Sequence, residues 1–414
     1  MKKFITLLLT LSMALACFSF TACGKKDNKM KVGLVCLHDD NSTYDKNFID
    51  AFRAACKAKD VKAVITTNVP ETAEAKTAAE DLADSGCKLV FADSFGHEDY
   101  IIEAAQKFTN VQFCHATGTK AQSARLANYH NAFASIYEGR FLAGVAAGLK
   151  LVAMYNANNT IAKSGVITVG YVGAFPYAEV KSGYTSWLLG VRSAVKDAGL
   201  SVTVNMKVKF TDSWYDQDKE EATATALINA GCVLISQHAD SWGAPMACEN
   251  AGVPNVSYNG STASRCPNTF IVSSRINWQP YFEYIIECVK NNEAIDTDKT
   301  GTIADGSVEL SALGNAAVAG TEAVLNTYKA ALQNGTKKVF DTSLFTVSAY
   351  VGDQFAELTN VTFDADTKVL TGAKKNEFDV VKTVNGITFF DESTVRSAPY
   401  FDIDIDGIAL EYAE

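Results

Sequence analysis

Residues 84–96 read DSGCKLVFADSFG, and the same pattern returns at 229–243 as NAGCVLISQHADSWG. In each copy a helix ends at Gly-Cys, an apolar strand follows, and the strand runs out into Asp-Ser-aromatic-Gly. The copies lie 145 positions apart, Gly86 against Gly231. Similar helical stretches, 74–83 and 219–230, precede them. The correspondence extends outward. KVGLVCLHDD at 31–40 answers TVGYVGAFPY at 168–177, and NVQFCH at 110–115 answers NVSYNG at 255–260. A repeated strand–helix–strand unit predicts two similar α/β lobes, each doubly wound. Ligands of open α/β sheets sit beyond the carboxyl ends of the strands. Matching loops at those ends would enclose a small molecule between the lobes.

Composition sets the class. The 414 residues allow two or three domains with a full core. Hydrophobic content of 48% and charged content of 20% are ordinary for a globular chain. A formal charge of −10 argues against nucleic acid or an anionic membrane face as the main partner.

Lys2 and Lys3 open a run that is almost wholly apolar from 4 to 18, followed by FTACGKK at 20–26. This resembles a bacterial lipoprotein signal, with 1–22 as the leader, Cys23 as the lipidated residue and 23–30 as a tether. Cys17, after Ala14-Leu15-Ala16, is the rival acceptor. Phe18 would make a poor start to a mature chain, whereas Gly24 and the polar KKDNK make a good tether. The run is too short for a transmembrane span. The expected location is the extracytoplasmic face of a cell membrane, held by lipid. Eight further cysteines remain: Cys36, Cys56, Cys87, Cys114, Cys232, Cys248, Cys266 and Cys288. Their even number permits disulfides. Several fall in or beside apolar strands, where Cys acts as a small hydrophobe, and no CxxC occurs. Buried free thiols and no metal cluster are expected.

The pattern predicts strands at 30–37, 61–66, 89–91 and 111–114, alternating with helices at 45–57, 74–84 and 99–108, then a long helix at 128–151. The second lobe is expected to start at 166–172. It continues with a helix at 180–198, a strand at 202–210, a helix at 217–230 and the repeated strand. A strand at 270–274 reads as the return to the first lobe. The expected division is therefore 31–152 with 270–300 for lobe 1, and 153–269 with 301–340 for lobe 2. From 341 to 414 the chain turns β-rich, with a hairpin signal at Asn385-Gly386. DIDIDG at 402–407 opens like a calcium loop but has Ala413 where a bidentate Glu is needed, so it reads as an edge strand.

No G-x-S-x-G elbow, P-loop or zincin helix is present. What remains are polar and aromatic residues at predicted strand ends. In lobe 1 these are Asp39, Tyr44, Asp45, Phe48, Ser94, Phe95, Gly96 and His115. In lobe 2 they are Phe175, Trp214, His238, Asp240 and Asn259, with Asn277 and Trp278 at the crossover. A planar heterocycle needs flat apolar faces and a few edge donors and acceptors. Trp214 stands out, because it lies in a polar loop where a large aromatic has no reason of packing to be. Phe48 also sits on the apolar face of its helix, and Trp187 fits a core stripe. His38 and His130 read as surface or capping residues.

DKNF at 45–48, LVFADSFG at 89–96, FCHATGTK at 113–120, YEGRFLAG at 137–144, SWYDQDKE at 213–220 and ISQHADS at 235–241 together resemble the basic membrane protein (BMP/PnrA-like) group. These are lipoprotein substrate-binding proteins of ABC importers. The resemblance covers most of 31–334. It implies a type I periplasmic-binding-protein fold, a purine base or nucleoside as ligand, and delivery to a permease and its ATPase. It implies no enzyme activity, no cofactor or metal, and a monomer. It implies that Asp45 meets the base edge, that Phe48 and Trp214 stack on it, and that Asn259 stands where a ribose-binding Asp is usual. That departure, and Asn277-Trp278 near the place of a ribose-contacting Lys, tell against a nucleoside, and the SFG, HATG and SWYD blocks resemble members that hold a free purine base such as adenine. A nucleoside hydrolase on the same cleft and a ligand sensor without transport are the alternatives.

Overall fold

The computed structural model describes residues 29–412 except 351–358, 365–368, 375–379, 395 and 402, so the leader and the lipid assignment at Cys23 lie outside the described residues. The chain begins with β1 (Lys31–Val35), α1 (Thr43–Ala58), β2 (Lys62–Thr66), α2 (Ala73–Asp84), β3 (Cys87–Ala92), α3 (Glu98–Lys107), β4 (Gln112–Ala116), a short α4 (Ala121–Ala124) and β5 (Tyr129–Ala134). It continues with α5 (Ile136–Ala157), β6 (Val166–Gly173), α6 (Ala178–Asp197), β7 (Thr203–Phe210), α7 (Gln217–Asn229), β8 (Ile235–His238), α8 (Gly243–Ala251) and β9 (Asn255–Tyr258). Next come β10 (Phe270–Ile276), α9 (Gln279–Asn291), β11 (Asp298–Gly301), β12 (Val308–Leu310) and α10 (Thr321–Gln333).

These strands form two sheets, in the order β11-β5-β4-β3-β1-β2 and β12-β10-β9-β8-β6-β7, the second extended beyond β7 by β19 (Ile408–Glu411) from the tail. All pairings of the first are parallel. In the second, β12 alone runs antiparallel to its neighbour among the described residues. The central strands are covered on both faces: β5 is buried at every position, as are β8 and β9, their polar side chains included. The repeated Gly86 and Gly231 both take left-handed φ values, +97° and +91°, to turn from helix into strand.

Two expectations are corrected. The stretch 128–151 is not one helix. Residues 129–134 insert as β5 between β4 and β11, and the helix starts only after Ser135. α5 then packs on α6 and so belongs to the second lobe. The strand at 270–274 does not return to the first lobe. It pairs with β9 and β12 in the second sheet, and the chain crosses over only at Asn277-Trp278, before α9 packs on α1. The lobes are joined by three crossing segments bonded to one another: Ser135 N–H donates to Gly301 O at 2.8 Å and Asn277 N–H to Ser307 O at 2.8 Å.

The tail adds β13 (Val347–Tyr350), β14 (Thr359–Asp364), β15 (Val369–Lys374), β16 (Val381–Val384), β17 (Ile387–Phe390), β18 (Ile403–Ile405) and β19 (Ile408–Glu411). β16 and β17 pair through the Asn385-Gly386 turn, and β19 joins the second sheet parallel to β7. Of the described acids in this stretch, Asp404 does not simply face water. Asp404 pairs with the nearly buried Lys181 at 3.0 Å. The eight cysteines from Cys36 to Cys288 are buried free thiols.

Candidate functional site

The carboxyl ends of the two sheets face each other across a closed cleft. Thr43 donates from its N–H and hydroxyl to Asp240 O, at 2.9 and 3.1 Å. Trp242 Nε1 donates to Asn41 O at 3.2 Å, and Asn47 Nδ2 to Ile276 O at 2.8 Å. The Phe95 and Tyr177 rings meet at 5.6 Å and His38 and Tyr215 at 5.2 Å. A narrow cavity of about 380 Å³, its mouth included, lies inside this seam. The first lobe lines it with Leu37, His38, Tyr44, Asp45, Ser94, Phe95 and Thr117. The second lobe contributes Glu179, Trp214, His238, Asp240 and Tyr258.

The two copies of the repeat place different residues here. In the first, Ser94 and Phe95 reach the cavity, while Asp93 is fully buried behind them. Asp93 Oδ1 accepts from Leu37 N–H at 3.2 Å, and its carbonyl accepts from the Tyr44 hydroxyl at 2.7 Å. Ser94 donates to Glu71 at 2.6 Å, and Gly96 N–H donates to the same oxygen at 2.8 Å. In the second copy Asp240 itself lines the cavity, and Trp242 serves the seam. Trp214 is half-buried and braced edge-on by Phe175 at 5.2 Å.

The electrostatics are acidic. Asp45, Glu179 and Asp240 face the cavity, and no Lys or Arg lines it among the described residues. Burial, then neighbouring Asp45, pushes the Asp240 carboxyl well above the usual range, and the same two causes raise Asp93. Asp45 Oδ1 accepts from His38 N–H at 2.7 Å. His238 Nε2 lies 3.2 Å from Glu179, within ion-pair reach. Burial nevertheless holds its imidazole below the ordinary value, against the pull of Glu179. Tyr258 donates to the same Glu179 oxygen at 3.3 Å. Behind it, the buried Arg140 guanidinium lies 4.9 Å from the Tyr258 ring and donates to Gln237 O at 2.9 Å. Cys36, Asp45 and Asp93 each bring one ligand atom within 4.8 Å of the others. Burial raises that thiol, which disfavours the thiolate a metal would need.

Of the residues expected from sequence, Tyr44, Asp45, Ser94, Phe95, Trp214, His238 and Asp240 meet at this cavity. The others do not line it: Asp39 sits in an exposed turn with Asn41, and Asn277 is at the crossover. Phe48 and Trp278 do not line this cavity: they stack on each other at 4.4 Å in the core, and Trp278 borders a separate pocket at the crossover with Asn277 and Tyr281. Phe48 instead backs Tyr44 at 4.8 Å. His115 is buried and bonds Ser94 O at 2.7 Å. Phe175 braces Trp214, and Gly96 holds its loop. Asn259 is buried at φ +59°, with its Nδ2 unpartnered. Glu179, Tyr258, Thr117 and Leu37 were not anticipated, and His38 is a wall rather than a bland surface residue. Tyr258 was within sight, since it precedes Asn259 in the matched NVSYNG block.

Comparison with known proteins agrees with this architecture. Residues 34–343 match the family described as ABC transporter substrate-binding protein PnrA-like. A purine-binding protein from Brucella abortus is 30% identical over 259 residues, 62% of this chain and 67% of that one. A candidate ABC transporter glucose-binding protein from Haloferax volcanii is 31% identical over 208 residues, 50% of this chain and 47% of its own length. The solved solute-binding protein of an ABC transporter system from Conexibacter woesei superposes with a TM-score of 0.58 at 18% identity, covering 75% of this chain and 98% of that one. The fold is the type I periplasmic-binding-protein fold, with extra C-terminal strands.

Proposed function

Because the chain belongs to the PnrA-like family of ABC transporter substrate-binding proteins, we propose that the solute it captures is a purine base or purine nucleoside. The family binds solutes rather than transforming them. The observation that carries the ligand reading is the make-up of the cavity: Phe95 from one lobe, Trp214 from the other, and Asp45, Glu179 and Asp240 around them. Aromatic faces stack on a flat ring, and carboxylates accept from ring and exocyclic N–H groups. With the acids Asp45 and Glu179 on the walls and no Lys or Arg among the described residues that line it, a phosphorylated ligand is disfavoured. The similarity to a purine-binding protein supports the same reading. Closure follows from the ligand's higher affinity for the closed form. The closed form is what a permease and its ATPase would recognise, with the protein held by a lipid on Cys23 at the extracytoplasmic face.

Sugar is the second reading, favoured by the glucose-binding description of the Haloferax relative. Calorimetry with adenine, guanine, hypoxanthine, adenosine, guanosine and glucose separates them. Tight binding of at least one purine is expected. Binding of glucose alone would replace the proposal, and no released base should appear on incubation with nucleoside.

A further inference from the structure

Residues 344–414 fall beyond the family match, yet part of this tail touches both lobes beside the cleft. It is built on the second lobe. β19 runs along β7, from Ile408 opposite Met206 to Glu411 opposite Lys209. Asp404 pairs with the nearly buried Lys181 at 3.0 Å, and Arg192 Nη2 donates to Asp406 O at 2.9 Å. The fully buried Glu392 accepts from the Ser182 hydroxyl. Tyr400 N–H donates to Glu392 O at 2.9 Å, so these two stand side by side.

The grip on the first lobe is slighter. Ser397 N–H donates to Asp298 Oδ2 at 3.0 Å, at the start of β11, and Asn131 Nδ2 donates from β5 to Ser397 Oγ at 3.3 Å. The Ser393 and Ser135 hydroxyls meet at 3.2 Å, where the chain crosses between the lobes. Asn131 is itself a brace. Its Oδ1 accepts from Gly118 N–H at 2.9 Å, and the neighbouring Thr117, held at φ +63°, lines the ligand cavity. Ser397 therefore bears on the residue that steadies a cavity wall.

Ala398 and Pro399 cover the flank of the cleft next to these contacts. With Phe95 and Thr117 of the first lobe, and Tyr177 and Trp214 of the second, they surround a narrow, mostly apolar gap. Phe95 and Tyr177 are a pair that meets across the seam. Apolar surfaces brought together exclude water, so this contact serves as a seal. We infer that the tail is a latch: rooted in the second lobe, it seals one flank of the cleft and docks on the first lobe through Ser397, which raises the closed fraction of the protein and slows escape of the solute. The asymmetry of the two grips carries this. A strand ladder and an ion pair fix the tail to one lobe, whereas its bonds to Asp298 and Asn131 are few enough to break when the lobes part. An equally extensive grip on both lobes would make a fixed bridge. The latch acts on whatever solute fills the cleft.

The test uses the full chain. Asp298→Ala with Ser397→Ala removes both bonds to the first lobe and keeps the anchors on the second. Ser397→Glu alone leaves β11 untouched and sets a second acid against Asp298, so it should act in the same direction. Spin labels on Asp50→Cys and Asp218→Cys, exposed positions of α1 and α7, report the distance between lobes, since the native thiols of the described residues are buried. Two lost hydrogen bonds shift a closing equilibrium by roughly fivefold or more. In the empty protein the closed population of wild type should therefore fall by that factor in the variants, with the melting temperature nearly unchanged. Release of adenine or adenosine, followed by stopped flow, should quicken to match. Distances unchanged in a folded variant overturn the latch, whatever happens to the melting temperature. If neither adenine nor adenosine binds wild type, the purine reading falls, and the distances in the empty protein still decide the latch.

Discussion

Thr43 and Asp240 form a clasp between the lobes: one residue's N–H and hydroxyl both point to the other's carbonyl oxygen, at 2.9 and 3.1 Å. Thr43 opens α1, just after its cap Ser42, and Asp240 ends the repeated strand of the other lobe. The clasp therefore joins the start of a helix to a cavity wall, and it can exist only when the cleft is shut. Gly260 lies against the same threonine. A Cβ added there would sit 3.2 Å from Thr43 Cβ and Cγ2.

Thr43→Val keeps the N–H bond and loses the hydroxyl bond. One such bond contributes about 0.5–1.5 kcal/mol net, so ligand affinity should fall roughly two- to tenfold. Gly260→Val wedges the seam and should cost more, about tenfold or beyond, with little change in melting temperature. Calorimetry with whichever purine binds wild type reads both. Unchanged affinity in Gly260→Val would mean that the clasp is not part of the bound state.

Trp214→Ala removes a face of the cavity without opening the core, because the ring is only half-buried. Stacking one base on an aromatic is worth about 1–3 kcal/mol, which corresponds to roughly a 5- to 150-fold loss of affinity. Phe48→Leu should do far less to affinity and more to stability, since Phe48 is fully buried against Trp278. The reverse ranking would restore Phe48 as the stacking face.

Glu220 gives the protein a pH-dependent stability. It is fully buried and accepts from Ser241 N–H at 3.1 and 3.2 Å. Burial pushes its carboxyl up from 4.5 to about 7. The folded state thus holds this proton more tightly than the unfolded chain does. Its contribution is fully present below pH 4.5 and is lost as pH rises towards 7, by an amount on the order of 3 kcal/mol. Glu138 is also raised to about 7, so the measurement is the difference between wild type and Glu220→Gln. Denaturant unfolding from pH 4 to 8 should show wild type losing stability relative to the variant through this window. Parallel curves would contradict the assignment.

The repeated Asp-Ser-aromatic-Gly blocks were legible because strand ends carry their loops with them in sequence. That was enough to place Asp240, Ser94 and Phe95 around one cavity. Phe48 could not be settled in the same way. A helix face reads as apolar whether it meets a ligand or Trp278, and only packing decides. Tyr129–Ala134 was misread because its alanines continue smoothly into the true helix at Ile136, while the force that makes it a strand is pairing with β4 and β11. The strand at 270 was assigned to the wrong lobe for a related reason: nothing local tells a chain which of two sheets it pairs with. Glu179 sits in the first turn of α6, where an acid is ordinary for the helix dipole alone. β19 pairs with a strand some 200 positions upstream, Ile408 with Met206, and no periodicity reports such a partner.

The small residues at 143–148 did announce a close approach, and the structure shows how close. A Cβ on Gly144 would overlap the carbonyl oxygen of Trp187, and one on Gly190 would overlap that of Phe141. The two glycines thus face backbone on the opposite helix, reciprocally, where α5 crosses α6. Two effects compete in Gly144→Ala. Helix propensity favours Ala over Gly by about 1 kcal/mol in a helix interior. Overpacking typically costs about 1–3 kcal/mol, and here the obstacle is main chain rather than a movable side chain, so the cost belongs at or beyond the upper end. The clash should win. We expect net destabilisation of about 2 kcal/mol or more, a fall of at least roughly 2–3 °C in melting temperature for a chain of this size. The same sign is expected for Gly190→Ala. A rise in melting temperature in either variant would show that propensity dominates and that the helices are free to move apart.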